Sequence, residues 1–144
     1  MRRCLLFISL LLLTGLDVFS QEYKLLMQFR DHDFSSICMM NTSDDGSIKG
    51  TVVNEFGIKA FDFTYADNKA QVLNVVVFLD KWYIRKVLRK DLTFILQNLS
   101  KGQDVEKKKR RMTFLPNGDI EVVDGKYNIR YTFSPMKGNH ETVE

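Results

Sequence analysis

The sequence predicts an α+β fold: a strongly curved antiparallel sheet of about eight strands, an incomplete barrel, wrapped around one long amphipathic helix. Three observations predict it. Apolar and polar residues alternate from Tyr23 to Val77 between strong turn signals, the period changes to that of a helix between Asp80 and Ser100, and alternation returns from Arg110 to Phe133. The helical segment has one apolar face and each strand has one apolar face, so each needs the other for burial. Many antiparallel strands and one helix cannot form a flat closed sandwich, so the sheet is expected to curl with the helix in or over its mouth.

The first strand starts at Tyr23, with Tyr23, Leu25, Met27 and Phe29 on one side and Lys24, Gln28 and Arg30 on the other. Asp31-His32-Asp33 reads as a solvated turn. Ser36 to Thr42 and Ser47 to Val53 flank Ser43-Asp44-Asp45-Gly46, whose Asp-Gly pair is a strong hairpin signal. Past the tip Asn54-Glu55-Phe56-Gly57, the strands Ile58 to Tyr65 and Lys69 to Val77 flank Ala66-Asp67-Asn68, completing a five-strand meander. On a helical wheel Tyr83, Ile84, Val87, Leu88, Leu92, Phe94, Ile95 and Leu99 share one half, and Lys81, Arg85, Lys86, Arg89 and Lys90 share the other. Ser100-Lys101-Gly102 ends the helix, and a polar connector runs to Lys109. Three closing strands follow, Arg110 to Leu115, Ile120 to Val123 and Tyr127 to Phe133, turned by Pro116-Asn117-Gly118-Asp119 and Asp124-Gly125-Lys126.

The first twenty residues read differently. Arg2 and Arg3 precede an apolar run from Leu5 to Leu13, and Val18-Phe19-Ser20 supplies a cleavage pattern, so residues 1–20 are expected to be a secretory leader. The run is far short of the roughly 20 apolar residues of a spanning helix. Cleavage leaves one domain over residues 21–136 and a polar tail over 137–144. The formal charge of +3 loses two arginines and one aspartate with the leader, and the remaining +2 is too mild for a nucleic-acid binder. Cys4 leaves as well, so Cys38 has no intrachain partner and the fold must stand on its core. Flanked by Ile37 and Met39, it reads as a small buried hydrophobe.

Motifs for chemistry are missing: there is no Gly-x-Ser-x-Gly, no His-Glu-x-x-His and no phosphate-cradling glycine loop. His32 and His140 lie in opposite terminal regions with no second ligand at metal spacing. The expectation is a protein that is not an enzyme and uses no metal or cofactor. Asp91 departs most from its setting, because it falls in the middle of the helix's apolar face, where an unpaired carboxylate is costly. It needs a lysine, arginine or tyrosine partner on the facing sheet, with Arg130 a candidate, or it orients a polar group at the bottom of a ligand pocket. Lys107, Lys108, Lys109, Arg110 and Arg111 form a cationic run beside Met112 and Phe114, readable as a solvated edge or as a contact for anionic lipid headgroups. Phe56, an aromatic at a hairpin tip, either folds back or meets a membrane or partner. In a eukaryotic setting Asn41-Thr42-Ser43 and Asn98-Leu99-Ser100 would be glycosylation acceptors.

Aromatic side chains share strand faces: Phe61, Phe63 and Tyr65 on one, Tyr127, Ile129, Tyr131 and Phe133 on another, with Trp82, Tyr83 and Phe94 on the helix. Most must fill the core. An incomplete barrel covered by one helix nonetheless leaves lining for a lipid chain.

The segment Gly50-Thr-Val-Val-Asn-Glu-Phe-Gly-Ile-Lys-Ala-Phe-Asp-Phe-Thr-Tyr65 and the helix Leu79-Asp-Lys-Trp-Tyr-Ile-Arg-Lys-Val-Leu-Arg-Lys-Asp-Leu92, behind a leader and before closing strands, resemble the LolA/LolB superfamily of bacterial periplasmic lipoprotein carriers and receptors. The resemblance implies a half-barrel around helical structure, acyl chains held in the apolar space between, and a periplasmic location. Gln21 stands where a receptor of that family would carry its lipid-bearing cysteine. The chain also opens with a strand, where the carriers open with a helix.

The resulting expectation is a non-catalytic exported protein that binds acyl chains or lipoproteins. Phe61, Phe63, Tyr65, Tyr83, Phe94, Tyr131 and Phe133 would line the cleft, Asp91 would orient polar groups there, and Phe56 with Lys107 to Arg111 would meet headgroups. The competing expectation is an interaction or structural module with a fully packed core.

Overall fold

The computed structural model describes residues 19–136. The leader expected over residues 1–20 lies outside them up to residue 18, as does the tail from 137. Nine strands form one antiparallel sheet: β1 (Phe19–Phe29), β2 (His32–Thr42), β3 (Ile48–Asn54), β4 (Lys59–Ala66), β5 (Lys69–Leu73), β6 (Val105–Lys107), β7 (Arg110–Phe114), β8 (Ile120–Asp124) and β9 (Ile129–Pro135). One helix, α1 (Trp82–Asn98), stands between β5 and β6. The strand order is β5-β4-β3-β2-β1-β9-β8-β7-β6, so the sheet is open and α1 carries the chain from one edge to the other. The helix contacts both β5 and β7, near the two opposite edges.

Five boundaries differ from the sequence reading, four of them for a local reason. The β1–β2 turn is only Arg30-Asp31, because β1 pairs with β2 down to Phe29 opposite His32, so His32 and Asp33 belong to a strand. β5 stops at Leu73 because Asn74 takes a left-handed φ of 50°, and Val77–Leu79 then form a short 3-10 turn. β9 starts at Ile129 because Asn128 is left-handed, which leaves Tyr127 in the turn. The ninth strand is β6, inside the segment read as a connector: Val105 pairs with Met112 and Lys107 with Arg110. Three residues, two of them charged, carry too little alternation to be seen in sequence. At the other end, β1 begins at Phe19, four residues before the expected Tyr23.

Turn chemistry fixes the register. Asp67 and Asn68 both have positive φ, the geometry of a two-residue hairpin turn that Asp and Asn tolerate well. The β6–β7 turn, Lys108-Lys109, places lysine in the same conformation at φ 57°. We expect Lys108→Gly to stabilise the fold by about 0.5–1 kcal/mol by relieving that strain, read as a raised thermal midpoint. An unchanged or lowered midpoint would show that the turn carries no recoverable strain.

Strand parity decides what faces the helix. Tyr23 and Leu25 on β1, Cys38 and Met40 on β2, Phe61 and Phe63 on β4, Val122 on β8 and Tyr131 and Phe133 on β9 are all buried, against Leu88, Leu92, Ile95 and Leu96 of α1. Gly102, with φ 64°, follows the Leu99–Lys101 3-10 turn and ends the helical segment. Toward β5 the helix is tied by polar bonds: the Ala70 amide donates to Thr93 Oγ1 at 3.0 Å, and Gln97 Nε2 donates to the Asn68 carbonyl at 3.2 Å.

Candidate functional site

Between the sheet and α1 runs an apolar seam. Its cavity is lined by Leu25, Met27, Cys38, Met40, Val52, Phe61, Phe63, Leu88, Leu92, Ile95, Leu96, Tyr131 and Phe133, with a volume of about 10 Å³. That is room for one water-sized sphere, and the lining is apolar, so the space is closed by packing. Of the side chains expected to line a cleft, Phe61, Phe63, Tyr131 and Phe133 meet here. Phe94 is buried without reaching the cavity, Tyr65 is half-buried, and Tyr83 is half exposed near the start of the helix. Cys38 is buried in this lining, and burial pushes its thiol up to about 12, so it behaves as a small hydrophobe.

The seam does not end with its buried lining. Phe29 and Phe34 share the parity of the buried residues on their strands, and Phe34 pairs directly with Met27, a cavity-lining residue. They are nevertheless 37% and 39% exposed. The inner face of the sheet thus continues as uncovered apolar surface beyond the seam.

One polar cluster interrupts this interior. Asp91, 1% exposed, accepts from Arg110 Nε on Oδ1 at 2.8 Å and from the Tyr131 hydroxyl on Oδ2 at 2.6 Å. Arg110 also approaches Asp124, with Nη2 3.7 Å from Oδ2. Helix α1 and strands β7, β8 and β9 therefore each contribute one member. The partner suggested by sequence, Arg130, is not part of it. Arg130 is the neighbour of inward-facing Tyr131, so the alternation of the strand turns it outward, to within 4.0 Å of Glu121. Arg110 is likewise removed from the cationic surface run, since it shares the inward parity of Met112 and only 17% of its side chain is exposed. Lys107, Lys108, Lys109 and Arg111 remain exposed.

The electrostatics of the cluster are unequal. Burial pushes the Asp91 carboxyl up to about 7, with the neighbouring Asp124 adding to the rise and Tyr131 and Arg110 opposing it. For Asp124 burial also favours the neutral form, but the hydrogen bond from Asp91, the amides of Tyr127 and Lys126 and the Arg110 charge outweigh it and hold the carboxyl below the usual range. Asp124 Oδ2 is the one buried side-chain oxygen or nitrogen among the described residues without an N–H or hydroxyl partner. Its nearest charge partner is Arg110 Nη2 at 3.7 Å, so the guanidinium serves both carboxyls. This cluster anchors the middle of the helix; among the described residues no group of three His, Cys, Asp or Glu side chains is placed to hold a metal ion.

The remaining expected residues lie on the surface. Phe56 is 87% exposed at its hairpin tip and does not fold back. Asn98 is buried and donates from Nδ2 to the Phe94 carbonyl at 2.8 Å, so it cannot accept a glycan, whereas Asn41 is exposed. Sequence reasoning missed the apolar surface of Val77, Phe78 and Trp82. In sequence these residues look like the end of a strand and the start of a buried helix. Among the described residues no helix is long and apolar enough to cross a membrane. No protein-family model matches the chain, and no curated protein matches it.

Proposed function

We propose that this chain is a non-catalytic, exported lipid- or lipoprotein-binding protein that takes an acyl chain into the seam between sheet and helix, in the manner of the LolA/LolB superfamily its sequence resembles, with the sheet acting as a half-barrel around α1. The observation that supports this reading is the inner face left uncovered by the helix. Phe29 and Phe34 form an apolar approach to the seam, and the lining behind them offers an acyl chain only apolar neighbours.

At about 10 Å³ the empty seam is closed, so uptake requires α1 to move. The distribution of its anchors favours displacement of the first turns. Trp82, Tyr83, Arg85 and Lys86 are exposed, while the fully buried positions and the bonds through Asp91, Thr93 and Gln97 lie from Leu88 onward. The closed cavity also supports a second reading, a packed interaction module that holds no ligand.

Native mass spectrometry of protein purified from its exported compartment, followed by titration with a lysophospholipid, separates them. A bound acyl species, lost in a Phe34→Asp variant that keeps its melting temperature, is the expected result. A clean apo mass throughout the titration would leave the packed module. Phe34 is preferred to Phe63 for this test because Phe63 is fully buried and its replacement by aspartate would unfold the chain.

A further inference from the structure

The antiparallel register sorts the connections into two ends of the sheet. At one end lie the β1–β2 turn, the β3–β4 tip, the exit from β5 into α1, the β6–β7 turn and the β8–β9 turn. At the other lie the β2–β3, β4–β5 and β7–β8 turns and the exit from α1. The two ends differ in chemistry. Among the large hydrophobic side chains exposed in the described residues, only Met39 lies away from the first end. Its most prominent members are Phe56, Ile58, Val77, Phe78, Trp82 and Tyr83, with Val77 90% and Trp82 76% exposed.

These side chains are held there by specific bonds. The Val76 amide donates to the Ala60 carbonyl at 2.8 Å, and Asn74 Nδ2 donates to Asp62 Oδ2 at 2.8 Å, which brings the 3-10 turn beside the β3–β4 tip. Trp82 and Tyr83 stack edge to face at 5.9 Å. On the other flank, the Gly125 amide donates to the Lys109 carbonyl at 2.7 Å and joins the β6–β7 and β8–β9 turns. The connections at this end carry Arg30, Lys81, Lys108, Lys109 and Lys126 against Asp31, Glu55 and Asp80, with Lys86, Lys107, Asp33 and Glu106 on the elements beside them. Among the described residues the connections at the opposite end carry Asp44, Asp45, Asp67, Asp104 and Asp119 against Lys101, with Lys49 and Lys69 on the strands beside them.

We infer that this aromatic and cationic end docks on an anionic lipid surface, with Val77, Phe78 and Trp82 entering the headgroup boundary and the lysines of the β6–β7 and β8–β9 turns facing the headgroups. Exposed apolar side chains that include Trp and Tyr, sharing one end of the sheet with lysine-bearing turns on its other flank, are the composition of an interfacial anchor, and the acidic far end orients the molecule by repulsion. The docking surface stands independently of acyl uptake, since it uses side chains outside the seam.

Trp82 is the chain's single tryptophan, so its emission reports this end alone. Protein purified after export is mixed with phosphatidylcholine vesicles, with or without phosphatidylglycerol, at low and high salt. The expected result is a blue shift of Trp82 and its quenching by lipids brominated in their acyl chains, on the anionic vesicles only. The shift should disappear with Phe78→Asp, weaken roughly fivefold with Lys108→Gln, fade in high salt and persist with Asp44→Asn at the far end. Unchanged emission with no flotation on anionic vesicles would overturn the inference, as would equal binding to both vesicle types. A blue shift without vesicles that grows with protein concentration would also overturn it, by assigning this end to a second copy of the chain. Docking without a bound acyl species in the mass spectrum would support this surface while removing the seam reading.

Discussion

Arg110→Ala is expected to destabilise the fold by about 3 kcal/mol at pH 8 and by roughly half as much at pH 5, measured by urea unfolding at the two pH values. The difference follows from Asp91. At pH 8 its buried carboxyl is largely ionised, and without Arg110 it keeps only the Tyr131 hydroxyl, 2.6 Å away, as a donor beside a second carboxylate. At pH 5 it holds its proton, so the loss of the guanidinium removes a hydrogen bond and some packing but leaves no new uncompensated charge on Asp91. An equal loss at both pH values would mean that Arg110 acts through Asp124 and its alkyl stem rather than through the ionised Asp91.

The same cluster sets the pH dependence of the unaltered protein. A carboxyl whose folded pKa is raised to about 7 keeps its proton in the native state over a range where the unfolded chain has released it. Stability contributed by Asp91 is therefore fully present below about pH 4 and falls as pH rises toward 7, by up to about 1.4 kcal/mol per unit. Asp124 runs the other way. Its lowered pKa contributes stability above the ordinary aspartate range that is lost as pH falls through its folded value. The two together place maximal stability in mildly acidic solution, and Asp91→Asn should flatten the fall between pH 5 and 8.

That cluster also marks how far the sequence could be read. Asp91 is visible because a carboxylate in the middle of an apolar helical face demands a partner, and the partner exists. Its identity was legible in principle: Tyr131 alternates with buried Phe133, so Tyr131 and not Arg130 faces the helix, and Arg110 has the parity of Met112. Reading Lys107 to Arg111 as one charged run hid the fact that it spans a hairpin, where strand parity sends Arg110 inward and Arg111 outward. The meander and the helix were readable because their periods are long and regular. The β6 strand and the left-handed Asn74 and Asn128 were not, since each depends on pairing or backbone geometry that a few residues cannot announce. The exposed apolar end is the clearest case. Val77, Phe78, Trp82 and Tyr83 have the composition of buried structure, and only the three-dimensional path leaves them exposed.

Gly50→Ala should destabilise the protein by about 2 kcal/mol, against the general tendency of glycine to alanine in a strand. Elsewhere that change is favourable by a few tenths to about 1 kcal/mol, because it restricts the unfolded chain. Here a methyl group on Gly50 would lie within 2.6 Å of Cε1 and Cε2 of the Phe63 ring, closer still to Cζ, and Phe63 is fully buried with no room to swing aside. Gly50 and Phe63 are direct cross-strand partners on the inner faces of β3 and β4, so the missing side chain of one is the space occupied by the other. Phe63→Leu should cost stability alone, yet in combination with Gly50→Ala it should recover part of the loss, giving a favourable coupling of about 1 kcal/mol or more in a double-mutant cycle. Strict additivity would show that the ring relaxes freely. Because Phe63 also lines the seam, the same pair bears on the proposed acyl uptake: a ring packed over Gly50 has no room to retreat on the β4 side, so the proposal requires displacement of α1.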